Sequence, residues 1–389
     1  MKLIYYSQPD FTDCDFPLIR AFQQAGISVE YYIELHPYSL RRGLLNITKQ
    51  HPENGIFRAD IYPEIAEYRD YLNMEHVFVV NCTHQSDFHP KTLLLQAKLI
   101  RRFAIDDVDI VHVVWPLVRN KLLWSVLHKK LVLTLHDPFP HSGKKTRELE
   151  FCRRWSFKVI DRIIILSEQF VDSFASTYQY PKEQIYVSRL GMYDCIRHIQ
   201  PSLNKSVQPY ILFFGYIASY KGVEYLLEAM IEVHEKHPDV RLVVAGGGRY
   251  YFDKEKYEKL GYIEFRNYYI DTHELATLLQ DCMFMVCPYK DATQSGVVQT
   301  AFAMDTPIVA TDVGALSKAV EHGITGLVVP PCNAKDLAAA MIYLLAHPIN
   351  LSSMRKNIQN KWKTSMNWDS IAQDYLRCYR SMIKKVTTD

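Results

Sequence analysis

The sequence lacks a long apolar run. Stretches such as Asp109–Val118 and Cys282–Cys287 fall well short of the roughly 18 residues that span a bilayer. The apolar opening, Met1–Tyr6, is broken at once by residues 7–10, so it is too short for the core of a secretory signal. We therefore expect a cytoplasmic protein, with peripheral contact at the inner membrane face as the alternative.

The sequence also lacks a charge excess and a cysteine motif. Its 45 Lys and Arg against 43 Asp and Glu give a formal charge of +2, so no overall field favours nucleic acid. None of the eight cysteines forms a Cys-x-x-Cys pair, which favours reduced thiols over a disulfide framework. In the second half of the chain no Asp-x-Asp pair or His/carboxylate cluster stands out. We predict no metal and no bound cofactor.

What the sequence does contain is a repeated alternation of short apolar strands with amphipathic helices. A length of 389 residues suggests two domains. Continuous apolar strands between helices indicate parallel sheets covered on both faces. The predicted strands are Lys2–Tyr6, Val29–Tyr32, Val77–Val80, Ile110–Val114, Leu131–Leu135 and Arg162–Leu166, then Tyr210–Phe214, Arg241–Ala245, Met283–Val286, Thr306–Ala310 and Gly326–Val329.

The fold class that follows is α/β, with two doubly wound Rossmann-like domains. A stretch without periodicity marks a linker at residues 201–209, between a first domain at 1–200 and a second at 210–366. Residues 367–389 read as a C-terminal helix that packs back towards the first domain. Such sheets bind ligands at the carboxyl ends of their strands, so two domains facing each other predict a central cleft.

Two strand ends in the second half carry residues suited to a phosphate group. Gly215 follows Tyr210–Phe214 and lets a ligand approach the backbone, and Lys221 in the next turn supplies positive charge. At the other strand end, Ser295 and Gly296 directly precede an apolar helix, whose free N–H groups and dipole attract phosphate. Ordinary capping by Ser295 is the competing interpretation.

Four segments together resemble the large family of retaining glycosyltransferases with the GT-B fold. This family includes the phosphatidylinositol mannosyltransferases and many enzymes of bacterial surface-polysaccharide assembly. The resemblance covers almost the whole second half and implies a nucleotide-sugar-binding second domain and an acceptor-side first domain. It rests on Phe213–Leu226, Ala292–Val297, Thr306–Gly314 and Gly323–Pro331.

The resemblance implies donor-site roles residue by residue. Lys221 matches the lysine that contacts the donor diphosphate, and Ser295–Val297 matches the helix start that receives the phosphates or the sugar. Tyr269 falls where the family cradles the base. The predicted donor-binding residues, which include Gln294 and Thr300, are Gly215, Lys221, Tyr269, Gln294, Ser295, Gly296, Val297 and Thr300.

The chain departs from the family at the usual pair of donor-site glutamates. Ala292 and Thr300 stand at those positions and supply no carboxylate. We expect Thr300 to hydrogen-bond a ribose hydroxyl and Gln294 to reach the sugar. The identity of the sugar and of the base, UDP- or GDP-linked, stays open.

In the first half, His136 and Asp137 follow the strand Leu131–Leu135, before prolines that turn the chain outward. A single histidine at a strand end is more often structural. The family carries a His-Asp pair at this place, with the histidine near the transferred sugar and the acceptor. The resemblance therefore implies that His136 and Asp137 are catalytic residues.

Basic residues outnumber acidic ones in the stretch 144–162. With Lys98, Arg101 and Arg102 they could form a face for an anionic membrane, and a solvated helix face explains them equally well. The stretch matches no known nucleic-acid-binding motif, and we expect no nucleic-acid partner.

The sequence thus predicts an enzyme, a glycosyltransferase that moves a sugar from a nucleotide-diphosphate donor to a glycan or lipid-linked acceptor. The resemblance implies retention of anomeric configuration and a role in surface-polysaccharide or glycolipid synthesis. Lys221 and the helix start would stabilise the departing diphosphate in place of a metal ion. Two alternatives stay open. A sugar-nucleotide epimerase of the same fold would need paired acid/base carboxylates, and a catalytically silent sugar-nucleotide-binding subunit would explain Ala292 and Thr300.

Overall fold

The computed structural model describes residues 1–127, 129–140, 146–201, 208–292 and 296–383. The chain divides into two compact units. The first comprises Met1–Gly191 and the C-terminal segment from Trp368, and the second comprises Met192–Asn367. The predicted linker lies mostly at residues 202–207, outside the described residues.

The division between the units falls after Gly191, whereas the sequence analysis ended the first domain at residue 200. The reason is packing, because the buried side chains of Met192 and Ile196 belong to the hydrophobic core of the second unit. A loop without periodicity gives no sign of the core that its few apolar residues join.

The first unit is built on an eight-stranded sheet, and a two-stranded hairpin (β3–β4) stands apart from it. The sheet order is β10-β9-β8-β7-β1-β2-β6-β5, with only β5 antiparallel to its neighbour. The strands are β1 (Lys2–Ser7), β2 (Ser28–Leu35), β3 (Arg41–Arg42), β4 (Leu45–Asn46), β5 (Gly55–Arg58), β6 (Val77–Asn81), β7 (Ile110–Val113), β8 (Lys130–Leu135), β9 (Arg162–Ile165) and β10 (Ile185–Val187). The helices of this part are α1 (Thr12–Gln24), α2 (Pro63–Ala66), α3 (Pro90–Ile105), α4 (Arg147–Val159) and α5 (Val171–Tyr178).

The second unit is a six-stranded parallel sheet in the order β13-β12-β11-β14-β15-β16. Its strands are β11 (Tyr210–Phe214), β12 (Arg241–Ala245), β13 (Ile263–Arg266), β14 (Met285–Cys287), β15 (Ile308–Thr311) and β16 (Gly326–Val329). Its helices are α6 (Val223–Lys236), α7 (Lys254–Glu258), α8 (Thr272–Asp281), α9 (Gly296–Ala303), α10 (Leu316–Ala319), α11 (Ala334–Ala346) and α12 (Pro348–Lys363).

Each sheet reverses its winding direction once. In the first unit the chain proceeds from β1 to β2 and β6 on one side, then continues from β7 to β10 on the other. In the second unit it proceeds from β11 to β13, then from β14 to β16 on the opposite side. The reversal points therefore lie between β1 and β7 and between β11 and β14, where open α/β sheets form ligand crevices.

The last helix, α13 (Trp368–Met382), packs against α1 in the first unit. The Tyr379 hydroxyl lies 2.7 Å from Nδ1 of the buried His112, whose Nε2 lies 2.9 Å from the Thr134 hydroxyl. Burial lowers the pKa of His112 to about 3, so its ring is neutral and joins the helix to the sheet.

The predicted fold class, with two parallel-sheet Rossmann-like domains, is confirmed. Every strand predicted from an apolar run overlaps a strand of the structure. The strands that were not predicted are β3, β4, β5, β10 and β13. They are only two to four residues long, and β5, β10 and β13 lie at sheet edges, where one side is not paired.

Within the described ranges, no single helix has the length and apolar character needed to cross a membrane. Only the pair Ala334–Ala346 and Pro348–Lys361 reaches that length and composition together, and the two helices are bent by 94° at their junction.

Candidate functional site

The reversal point of the second unit begins at Gly215, directly after β11. Gly215 has a φ of 139°, which favours glycine, and its N–H donates to the Ala245 carbonyl oxygen at 3.0 Å. A Cβ atom at Gly215 would lie 3.8 Å from Cγ2 of Val297 in the first turn of α9. The structure thus brings the predicted residues Gly215 and Val297 to one place.

Lys221 reaches the same place because Gly222 follows it. Gly222 has a φ of 64°, and a Cβ there would lie 2.0 Å from the Pro288 carbonyl oxygen, just after β14. Only glycine lets this turn lie against that strand end. Lys221 Nζ consequently lies 3.7 Å from the ring centroid of Tyr289, over its face. The Tyr289 hydroxyl in turn lies 4.0 Å from the Cβ position of Gly215.

The charge of Lys221 is not neutralised by a carboxylate. Among the described residues no Asp or Glu forms an ion pair with Lys221, whereas Lys290 Nζ lies 2.7 Å from Glu224 Oε1. Burial lowers the pKa of Lys221 to about 8, so it remains mostly protonated at neutral pH. A desolvated ammonium without a carboxylate partner favours an anionic ligand.

At Gly296, the first residue of α9, a Cβ would lie 3.1 Å from Cε2 of Tyr193, so the backbone there packs closely against this ring. One turn later, the buried Thr300 donates its hydroxyl to the Gly296 carbonyl oxygen at 3.0 Å. The hydroxyl proton of Thr300 is therefore used within the helix, so the hydrogen bond that we expect with a ribose hydroxyl would have to use the Thr300 oxygen as acceptor. The predicted residues Gln294 and Ser295 lie outside the described residues.

Tyr269, the predicted base contact, follows the edge strand β13. Its backbone nitrogen lies 4.0 Å from the Cβ position of Gly247, in the loop after β12. In that loop a Cβ at Gly246 would lie 2.2 Å from the Gly215 carbonyl oxygen. Tyr269 thus lies at the same carboxyl end of the sheet as Gly215, and the loop after β12 separates the two.

In the first unit, His136 follows β8 and stacks on Phe11, with 4.4 Å between the ring centroids. Its Nε2 is buried and has no hydrogen-bond partner among the described residues, which costs free energy unless a ligand supplies one. Burial lowers the pKa of His136 to about 4, and the opposing effect of Asp137 is smaller. The ring is therefore neutral at physiological pH.

The turn after β8 is fixed by Arg153 from α4. Its guanidinium donates to the Asp137 carbonyl oxygen at 3.3 Å and to the Pro138 carbonyl oxygen. Arg153 belongs to the basic stretch 144–162, but it is only 2% exposed and therefore does not contribute to a basic surface. Two further members of that stretch, Lys144 and Lys145, lie outside the described residues.

The first unit also contains a cavity of about 400 Å³ at its reversal point. Its lining comes from the carboxyl ends of β7, β1 and β2, from the segments that follow these strands and β6, and from the start of α4. The residues are Gln8, Pro9, Asp10, Glu34, His36, Tyr38, Ser39, Asp87, Trp115, Val118, Arg119, Asn120, Lys121, Thr146, Glu148, Leu149 and Cys152.

Glu34 is the most buried carboxylate of this lining. Lys121 Nζ lies 2.6 Å from Glu34 Oε1, and His36 Nε2 lies 3.1 Å from the same atom. Burial raises the pKa of Glu34, but Lys121 and His36 outweigh it and bring the pKa to about 2, so Glu34 is ionised. The sequence analysis missed this site. The available signal was a single glutamate within the apolar run of β2.

Glu34, His36 and Cys82 form one group of three potential metal ligands, with donor atoms within 4.8 Å of one another. The ammonium of Lys121 already neutralises Glu34 at 2.6 Å. Burial, and then the charge of Glu34, raise the pKa of the Cys82 thiol, which disfavours the thiolate that a metal needs. This arrangement fits a lysine-neutralised carboxylate better than a metal centre.

Two family models match this chain. One described as Glycosyltransferase Family 4 matches residues 18–192, and one described as Glycosyl transferases group 1 matches residues 208–347. The chain belongs to the GT-B glycosyltransferases. The predicted family of sugar-transferring enzymes is thereby confirmed.

The chain is similar to proteins of several organisms. Alpha-D-kanosaminyltransferase of Streptomyces kanamyceticus is 33% identical over 61% of this chain and 66% of its own. Phosphatidyl-myo-inositol mannosyltransferase of Mycobacterium leprae is 25% identical over 73% of this chain and 76% of its own. Anabaena HepE in complex with UDP-glucose has the same fold, with a TM-score of 0.65, 15% identity and coverage of 98% and 100% of the two chains. The chain spans only 58–66% of the length of the first four curated relatives.

Replacing Lys221 tests the anion site directly. We expect Lys221→Ala to weaken UDP binding about tenfold or more, because the only uncompensated cation that the described residues place there is lost. UDP affinity of the unchanged protein should also fall between pH 7 and pH 9, as Lys221 loses its proton, and the variant should not show this fall. Isothermal titration calorimetry measures both. Lys236→Ala, at the far end of α6, is the control, and equal affinities for the two variants would contradict the site.

Proposed function

We propose that this chain transfers a sugar from a nucleotide-diphosphate donor to a glycan or lipid-linked acceptor. We further propose that transfer retains the anomeric configuration and needs no metal ion, as part of surface-polysaccharide or glycolipid synthesis. The observation that carries the proposal is the half-buried Lys221, which has no carboxylate partner among the described residues and lies beside Gly215 and the first turn of α9. The likeness to HepE bound to UDP-glucose and to named sugar transferases supports this donor class.

The chemistry requires stabilisation of the leaving group. As the sugar–phosphate bond breaks, negative charge collects on the departing diphosphate while the sugar becomes oxocarbenium-like. Lys221 offers a cation, and the first turn of α9 at Gly296 and Val297 offers backbone N–H groups and the positive end of the helix dipole. Both contributions are fixed before the reaction begins, so little reorganisation is needed.

Metal independence is proposed on the same grounds. Within the described part of the second unit, no three His, Cys, Asp or Glu side chains bring their donor atoms together. The charge that a divalent ion would supply at a diphosphate is assigned instead to Lys221 and α9.

The decisive experiment measures nucleotide release and sugar transfer from a panel of UDP-, GDP- and ADP-sugars. We expect one donor to be turned over, with full activity in excess EDTA. Loss of turnover with EDTA, restored by Mg²⁺ or Mn²⁺, would contradict metal independence. Isomerised donor without nucleotide release would indicate an epimerase, and nucleotide binding without turnover would indicate a silent subunit.

His136 is proposed to act at the reacting sugar. The neutral ring has a buried, unpartnered Nε2 among the described residues, so it can exchange a hydrogen bond with a substrate hydroxyl. Arg153 fixes the backbone after it through the Asp137 and Pro138 carbonyl groups. The proposed role of Asp137 is to support His136 rather than to contact the sugar.

His136→Ala should lower turnover about 10²-fold or more and leave UDP affinity nearly unchanged, since the proposed nucleotide site lies in the other unit. Donor-turnover assays and UDP calorimetry on one preparation measure both effects. His112→Ala is an informative comparison, because His112 is a buried neutral histidine of the same sheet that contacts α13. It should lower the melting temperature without a specific loss of turnover. Full turnover in His136→Ala would return His136 to a structural role.

Membrane contact is proposed through the exposed face of α4 rather than through the whole basic stretch. This α4 face presents Phe151 and Trp155 beside the exposed Arg154 and Lys158, and Arg154 pairs with Glu150 at 2.8 Å. The Trp155 indole donates to the Ser125 hydroxyl at 2.9 Å. Ser125 lies in the segment before β8, where apolar side chains are also exposed. Aromatic side chains flanked by cations suit the interface of an anionic bilayer.

Co-sedimentation with vesicles tests this contact. We expect binding to phosphatidylglycerol-containing vesicles but not to pure phosphatidylcholine, with loss of binding at high salt. Trp155→Ser should weaken it several-fold. Ile105→Ser removes a 71% exposed apolar side chain at the end of α3 and should have no effect. Equal binding by both variants would contradict the proposal.

A further inference from the structure

Glu34 presents one unpartnered oxygen to the cavity of the first unit. Its close contacts with Lys121, His36 and Gln96 all engage Oε1. None of these contacts engages Oε2. The buried Tyr6 hydroxyl lies near the carboxylate but forms no hydrogen bond of good geometry among the described residues, and the Glu34 side chain, only 2% exposed, lines the cavity. A buried carboxylate oxygen without a partner favours a ligand that donates a hydrogen bond.

The cations of the lining are already paired. Lys121 is neutralised by Glu34, and the guanidinium of Arg119 lies 2.9 Å from Asp87 Oδ2 and 3.7 Å from Glu148 Oε1. Four carboxylates line the cavity against these two cations. An anionic ligand would therefore meet repulsion without a free positive partner, whereas a hydroxyl or ammonium group would meet an acceptor.

The position of the cavity relates it to His136. Trp115, which follows β7, forms part of the wall and offers an aromatic face. The ring of Phe11 lies 6.0 Å from that of Trp115 and 4.4 Å from that of His136. The cavity lies at the reversal point of the sheet, has an aromatic residue in its wall and has a volume of about 400 Å³. These features suit a polar, ring-shaped ligand near His136.

We propose that this cavity binds the acceptor ring, and that the ring is a neutral or amine-bearing sugar or cyclitol which donates a hydroxyl or ammonium hydrogen bond to Glu34 Oε2. Phosphate- and carboxylate-bearing rings are disfavoured. This inference rests on the proposed transfer reaction, for which it names the acceptor class. Lys121 is a positioning residue, because it contacts Oε1 and leaves Oε2 directed to the ligand.

The first experiment compares D-glucosamine, D-glucose and D-glucuronate as probes of the full chain. Titrations followed by saturation-transfer NMR give a dissociation constant for each probe. We expect glucosamine to bind most tightly and glucuronate at least about tenfold more weakly, as expected for one unfavourable charge contact in a partly desolvated site. Glucuronate binding as tightly as glucosamine would overturn the proposal.

A second experiment locates the preference at Glu34. Glu34→Gln keeps the shape of the side chain but leaves Lys121 without its carboxylate. We expect the preference to invert, with weaker glucosamine binding and stronger glucuronate binding. Glu30→Gln is the matched control, since Glu30 lies on the same strand, pairs with Arg102 and does not line the cavity. An unchanged preference in a folded Glu34→Gln protein would overturn the proposal.

Trp115→Ala keeps the inference testable if Glu34→Gln does not fold, since Trp115 lies outside the Glu34 hydrogen-bond network. It should weaken binding of glucosamine and glucose by a similar factor, and unchanged binding of both would overturn the cavity assignment. These binding readouts need no turnover, so they separate the two ideas. Glu34-dependent glucosamine binding without donor turnover would contradict the proposed function alone. Donor turnover, with glucosamine and glucuronate bound equally well, would contradict this inference alone.

Discussion

The reversal of winding in each sheet is the constraint on which the functional features depend. Where consecutive strands leave a sheet in opposite directions, their loops diverge and the carboxyl ends of two neighbouring strands are left uncovered. In the second unit this occurs between β11 and β14, beside Gly215 and Lys221. In the first unit it occurs between β1 and β7, at the cavity that contains Glu34 and Trp115. Both candidate sites follow from strand order.

The two reversal points carry opposite electrostatic character. In the second unit a half-buried ammonium, Lys221, lacks a carboxylate partner among the described residues. In the first unit a buried carboxylate, Glu34, has one oxygen that its close contacts leave unengaged. An ammonium without a carboxylate partner and a buried carboxylate oxygen without a donor are both costly, so each group favours a ligand of complementary character. An anionic donor and a hydroxyl- or amine-bearing acceptor are the pair of substrates that these two charges suit.

The sequence predicted the second unit better than the first. Gly215, Lys221 and Val297 adjoin strands or helices with strong apolar patterns, so their place at a sheet edge could be predicted. The cavity around Glu34 could not, because its lining combines residues from segments as distant as Gln8 and Glu148. Thr300 shows a different limit. Its position in α9 was predictable, but the bond from its hydroxyl to the Gly296 carbonyl group was not.

The sequence by itself determined the α/β class, the inner strands of both sheets and the family, because apolar periodicity and short motifs are local properties of the chain. Only the tertiary structure decided which charges are paired. Lys221 and Lys290 look alike in sequence, yet one lies over Tyr289 without a carboxylate and the other pairs with Glu224. Likewise Arg153 belongs to a basic stretch but turns inward to the Asp137 and Pro138 carbonyl groups. Pairing depends on contacts between distant segments, which no local pattern specifies.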